Sequence, residues 1–307
     1  MNPVDLKNGG IKCQHWSKDL FILYYQMSVS AIITAHNSQF LSRNVTGLGN
    51  VLFQVSAAYS LAQKTGRPFS AKQLRLFGEK LKHEYGFPHL DTIFKKVLLA
   101  SREDSEDTPV IHLHEAAGCN RTFLPSIQEA TECTSKETSV ILCGHFESTR
   151  YFSEFRDEIR TFFSPPPDVI DSFLRTYPEL QSASEVVVSV HFRSPPGHEG
   201  IHYLQSREYY ARAIEMMKTS YTCPIFFIFK DADASFDESL FSGCRFKVVH
   251  NEYDFMDLWL LTLIQNHITS YSTFNFWGAY LAGPKAFVIA NKALGFSMYS
   301  EARFLEI

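Results

Sequence analysis

Apolar positions along this chain fall into two kinds of run. Some are short and unbroken; others recur every three or four residues. The clearest unbroken run is Val186, Val187, Val188 and Val190, β-branched at nearly every position, as in a parallel strand buried on both faces. Shorter runs at 29–34, 140–143, 224–229 and 245–249 predict further strands. Helical spacing runs through 50–64, where Leu52, Val55, Tyr59 and Ala62 share a face. Asn50 is its expected N-cap and Gly66 its stop. Residues 90–100, the segment carrying Phe155, Ile159, Phe162 and Phe163, and then 168–177, 207–218 and 254–266 also read as helices. Strands alternating with helices predict an α/β protein with parallel sheets. Ser164-Pro165-Pro166-Pro167-Asp168 stops one helix before another begins, so the chain divides into 1–164 and 165–307.

Composition fits that picture. The chain has 307 residues, 45% of them hydrophobic, with 27 Phe and 14 Tyr, enough for a large core. The net charge of −4, with no long basic run, argues against a nucleic-acid partner. An anionic ligand would need a locally built site. Six cysteines (Cys13, Cys119, Cys133, Cys143, Cys223 and Cys244) are scattered without a CxxC pair, which argues against zinc and leaves disulfides optional. The sequons at Asn44 and Asn120 matter only if the chain enters the secretory path. Residues 20–35 form the one apolar stretch with a membrane reading. It contains Gln26 and falls short of the ~20 residues a span needs. As a degenerate anchor it would place the protein at a Golgi or secretory membrane; otherwise the cytoplasm or a membrane periphery is expected.

Five places carry candidate chemistry. After the valine run the composition changes to His191, Phe192, Arg193, Ser194, Pro195, Pro196 and Gly197, read as loop. Ligands of open α/β sheets bind beyond the carboxyl ends of strands, where a guanidinium can hold a phosphate in two parallel hydrogen bonds. Gly47-Leu48-Gly49-Asn50 opens a helix, and so do Ser272 and Thr273 with an aromatic first turn from Phe274; a helix N-terminus suits an anion. Lys230-Asp231-Ala232-Asp233 follows a strand, as a metal-holding DxD would. His112, His114 and Glu115 read HLHE rather than HExxH, so a solvated or hydrogen-bonded histidine pair is expected there. Each feature alone has an ordinary explanation: a surface arginine, a tight βα turn, N-caps over an aromatic core, an acidic loop.

Taken in order, the pieces resemble the α-1,2-fucosyltransferase family. That family opens with GLGNQ(M/L)FQYA, and residues 47–57 read GLGNVLFQVSA. Its GYFQSxxYF segment is matched by GHFESTRYF at 144–152, its VHxRRGD by VHFRSPP at 190–196, and its HxIxSNSTFSWWGAWL by NHITSYSTFNFWGAYL at 266–281. The resemblance spans roughly 45–290, and four blocks in the right order are specific as a set.

It implies a GT-B-like architecture of two facing Rossmann-like domains, acceptor side at 1–164 and donor side at 165–307. It implies an inverting enzyme that moves fucose from GDP-fucose to a glycan acceptor, in α-1,2 linkage to galactose, with no metal and no cofactor beyond the donor. Arg193 matches the motif arginine that contacts the β-phosphate, and His191 the histidine beside the nucleotide. Gly47, Gly49 and Asn50 match the loop over the donor, and Ser272, Thr273 and Phe274 the turn near phosphate and base. Asp231 falls on the family's SDD segment, which weakens a metal role for Asp231 and Asp233. The general base is not identified; Glu147 and His191 are the available groups. Departures occur where Ser194 replaces the second arginine and Pro195-Pro196 the Gly-Asp. Others fall in the last block, at Asn266, Tyr271, Asn275 and Phe276. They bear on donor identity and level of activity rather than on fold. A metal-dependent nucleotide-sugar transferase and a non-catalytic nucleotide-sugar or glycan-binding descendant stay open as alternatives.

Overall fold

The computed structural model describes residues 30–32, 47–85, 88–102, 109–115, 123–135, 138–193, 205–231, 236–290 and 303–306. The chain clusters into two compact units, Met1–Phe162 and Phe163–Ile307. The predicted α/β class with parallel sheets is what the units contain: every described strand pair is parallel.

In the first unit, β1 (Ser30–Ile32), β2 (Val110–His114) and β3 (Ser139–Cys143) form a sheet in the order β1-β3-β2. All five residues of β3 are buried, as the central position requires. The helices are α1 (Leu48–Thr65), α2 (Lys72–Tyr85), α3 (Lys95–Ala100), α4 (Pro125–Cys133) and α5 (Arg156–Phe163). Helix α1 starts earlier than its pattern predicts. The carbonyl of Gly47 accepts the N–H of Asn50 at 2.9 Å, so Gly47 is the N-cap and Asn50 lies inside the first turn. It stops as expected at Gly66, which takes the left-handed conformation with φ 61°. The helix expected over 90–100 is divided: a 3-10 turn, Pro88–Asp91, precedes the short α3. Helices α2 and α4 and strand β2 had no clear period in the sequence.

The second unit holds β4 (Val187–Phe192), β5 (Ile225–Lys230), β6 (Arg245–Val248), β7 (Asn266–Ile268), β8 (Phe287–Ala290) and β9 (Arg303–Glu306). Its helices are α6 (Pro167–Thr176), α7 (Arg207–Ser220), α8 (Asp254–Thr262) and α9 (Thr273–Ala282). The sheet runs β6-β5-β4-β7-β8-β9. This is the doubly wound order, in which the chain reverses its direction of growth between the first and fourth strands, here β4 and β7. Two boundaries differ from expectation. His191 and Phe192 are strand, not loop, because they continue the ladder opposite Phe229 and Lys230; Arg193 lies beyond the strand. Helix α8 ends at Thr262, since Asn266 is drawn into the sheet opposite Val188.

The two faces of β4 do different work. Val188, Val190 and Phe192 pack with Tyr209, Tyr210, Ala213, Ile214 and Met217 of α7 and with Phe226 and Ile228 of β5. Burying each large apolar side chain contributes about 1.5–3 kcal/mol. The alternate residues Ser189 and His191 are polar yet buried, so they must be satisfied by neighbours. Helices α8 and α9 approach closely because residue 278 is glycine: a Cβ there would sit 2.7 Å from Leu261 Cβ.

Among the described residues no helix is long and apolar enough to cross a membrane. Of the 20–35 stretch only β1 is described. Ser194, Pro195, Pro196, Asp233, Cys13, Cys119 and both sequon asparagines lie outside the described residues.

Candidate active site

The switch point of the six-stranded sheet gathers three carboxyl ends side by side. Asp231 follows β5, Arg193 follows β4, and the turn Thr269–Ser272 follows β7. Arg193 is 41% exposed in its side chain, and its Nη1 lies 3.9 Å from Asp231 Oδ1. Behind it His191 is buried, and its Nδ1 lies 2.6 Å from Ser270 Oγ. The His191 ring lies 6.0 Å from that of Phe274 with 30° between the planes. Burial, with the Arg193 charge beside it, pushes the His191 imidazole down to about 4, so it is neutral at physiological pH.

One turn deeper, Ser189 Oγ lies 2.7 Å from His267 Nδ1, while His267 Nε2 lies 3.0 Å from the carbonyl of Ile264. A carbonyl can only accept. His267 therefore carries its proton on Nε2 and accepts from the Ser189 hydroxyl at Nδ1. Burial holds this ring too at about 4. The turn is pinned from other sides as well. Tyr209 Oη donates to the carbonyls of Thr269 at 2.7 Å and Ile289 at 3.0 Å, and Tyr210 Oη donates to the carbonyl of His191 at 2.9 Å. Ser270 N–H donates to Asn275 Oδ1 at 3.2 Å. Ser272 is the N-cap of α9, as expected, but its side chain makes no capping hydrogen bond. The positive end of α9 therefore opens at the switch point without a side-chain cap.

The first unit builds a second turn at its own strand ends. Gln54 of α1 donates from Nε2 to the carbonyl of Gly144 at 2.8 Å, tying the GLGNVLFQ helix to the GHFES turn. Glu115 Oε2 accepts the backbone N–H groups of His145 at 2.8 Å and Phe146 at 2.9 Å. Burial pushes this carboxyl up to about 7 despite those two bonds. Phe146 holds φ at 55°, an uncommon conformation for a bulky residue and one that stores strain. Glu147 is buried, with its Oε1 3.7 Å from His145 Nδ1. Gly47 is exposed, and a Cβ placed on it would meet nothing described within 4 Å.

The predicted site residues thus fall into two groups. Arg193, His191, Asp231, Ser272, Thr273 and Phe274 converge in the second unit; Gly47, Gly49 and Asn50 open α1 in the first. The sequence reading missed Tyr209, Tyr210, Ser189 and His267, which hold the Arg193 strand and the Ser272 turn in register. Their signal was present as polar or hydroxyl residues among apolar neighbours, but pairing across 19 to 80 residues is invisible along the chain. Glu115 was read beside two histidines rather than as the anchor of the GHFES turn.

The sequence profile described as Glycosyl transferase family 11 matches residues 47–305. Similar relatives include an alpha-1,2-colitosyltransferase of Escherichia coli, 26% identical over 262 residues that cover 78% of this chain and 87% of that protein. The O-antigen biosynthesis glycosyltransferase WbnK of Escherichia coli is 22% identical over 266 residues, covering 76% and 87% respectively.

Proposed function

The chain belongs to glycosyl transferase family 11 and is a sugar-transferring enzyme, and on that premise we propose that it moves fucose from GDP-fucose to a glycan hydroxyl. The linkage in this reading is α-1,2, formed with inversion, and no metal takes part in the transfer. The architecture in this reading is GT-B-like, with the donor side in 165–307 and the acceptor side in 1–164. The observation that carries it is the placing of Arg193 at the end of β4 and of the N-terminus of α9 just after β7, on the two neighbouring strands of the switch point.

The chemistry follows from charge. As the bond between the sugar and the diphosphate breaks, negative charge grows on the departing β-phosphate and the sugar becomes oxocarbenium-like. A fixed guanidinium and the positive end of a helix stabilise that charge where it develops. Arg193 supplies the first, and the Ser272–Thr273 turn of α9 the second. His191 fits a neutral role: it holds Ser270, and through it the turn, without adding a second cation. An acceptor hydroxyl then attacks from the opposite face of the sugar. Asp231 lies beside Arg193, and a cation held there would have to share this carboxylate with the guanidinium. That favours the metal-free reading over a DxD site.

A relative named for colitosyl transfer makes donor choice the point to measure. Thermal unfolding in GDP, GDP-fucose, UDP and UDP-sugars, with and without EDTA, tests it. Ligand at one hundred times its Kd raises stability by about 2.7 kcal/mol. A shift with GDP forms that survives EDTA is expected, followed by release of GDP when a galactoside acceptor is added. A preference for UDP, or a GDP shift abolished by EDTA, contradicts the proposal.

A further inference from the structure

The geometry points to a transition-metal site in the first unit, in which His112, His114 and Cys143 bind a zinc-like divalent cation apart from the donor chemistry. Sequence spacing hides this set, because 28 residues lie between His114 and Cys143 and no CxxC or HExxH marks it. Parallel pairing of β2 with β3 brings them together: His114 stands opposite Cys143, and His112 opposite Ile141. Alternate residues of a strand share a face, and paired residues of a parallel ladder do too. Both imidazoles and the thiol therefore project from one side of the sheet.

The distances suit a cation. One ligand atom from each residue can be chosen so that all three lie within 4.8 Å of one another, and His112 Nδ1 to Cys143 Sγ is 3.6 Å. In a tetrahedral zinc site, with Zn–N of about 2.0–2.1 Å and Zn–S of about 2.3 Å, the nitrogen and sulfur ligands stand about 3.6 Å apart. The two rings lie 6.3 Å apart, with only 23° between their planes. Both histidines are exposed while the cysteine is 9% exposed, so an ion can arrive from solvent onto a sheltered sulfur. Two imidazoles and a thiolate select zinc or cobalt over magnesium or calcium. Three protein ligands leave a fourth position for water.

The site also has a structural consequence. His114 and Cys143 are the last residues of their strands. The next residues are Glu115 and the GHFES turn, joined by the hydrogen bonds of Glu115 to His145 and Phe146. A cation bridging the strand ends would clamp the base of that turn.

Cobalt titration of the full chain, stripped with chelator and kept reduced, tests the site. The expected result is one equivalent bound, with a near-ultraviolet thiolate-to-cobalt charge-transfer band and tetrahedral visible bands that excess zinc bleaches. Cys143→Ser should remove the charge-transfer band. The double variant His112→Ala/His114→Ala alters only exposed positions, with its fold checked by circular dichroism. It should weaken cobalt binding by roughly a hundredfold or more. Absence of the band in the parent, a band that persists in Cys143→Ser, or unchanged cobalt affinity in the folded double variant would each overturn the proposal.

Discussion

His191 Nδ1 and Ser270 Oγ meet at 2.6 Å across the switch point of the six-stranded sheet, joining the strand that ends in Arg193 to the turn that starts α9. A buried ring nitrogen left without its partner costs about 1–3 kcal/mol. Ser270→Ala should therefore lower stability by that order and also weaken GDP binding, because the turn loses its tie to β4. Denaturant unfolding and nucleotide thermal shifts measure the two effects. Unchanged stability would show that the pair contributes nothing.

Acid should act on the same layer. His267 lies at about 4 in the folded chain against an ordinary 6.5, so the unfolded state binds the extra proton. Its contribution to stability is fully present above about pH 6.5 and is lost as pH falls toward 4. The full loss is about 3 kcal/mol. Asp257, pushed up to about 6 by burial, gives a slope of the opposite sign, so the parent is compared with His267→Gln. His191, also held at about 4 by burial, gives a slope of the same sign in both proteins, so the variant should lose only the share of the acid-sensitive part between pH 6.5 and 4 that belongs to His267. Parallel profiles would contradict the assignment of that slope to His267.

Two glycines separate packing from function. Gly278→Ala would put a Cβ 2.7 Å from Leu261 Cβ, and forcing α8 and α9 apart should cost about 1–3 kcal/mol. Gly47 has φ −56° and open space around it, so Gly47→Ala should change stability by less than about 1 kcal/mol. If its exposed position lets the donor approach the backbone, turnover should nonetheless fall. Stability loss at 47 with activity intact would reverse the assignment.

Much of this was legible in the chain. The valine run, the αL stop at Gly66 and the Ser272 N-cap are set by local chemistry, and local chemistry can be read residue by residue. Asn50 misled because an asparagine looks like a cap wherever it precedes an apolar period, whereas the first carbonyl to accept was that of Gly47. His191 looked like loop because it is polar, although a polar residue can continue a buried strand when a neighbour such as Ser270 satisfies it. The Ser189–His267 pair, the Glu115 anchor and the meeting of His112 with Cys143 depend on which strands are adjacent, and sheet order is not written in any local period.

In the proposed reaction Arg193 stabilises the departing diphosphate, and measuring GDP binding and sugar transfer by Arg193→Ala is the sharpest test of that role. Truncating an arginine paired with a diphosphate costs on the order of 2–5 kcal/mol. The side chain lies beyond β4 and is 41% exposed, so the fold should persist. A folded protein is expected, with GDP affinity reduced at least about thirtyfold and transfer from GDP-fucose lost. A folded Arg193→Ala that binds GDP and transfers sugar at the parent rate would contradict it.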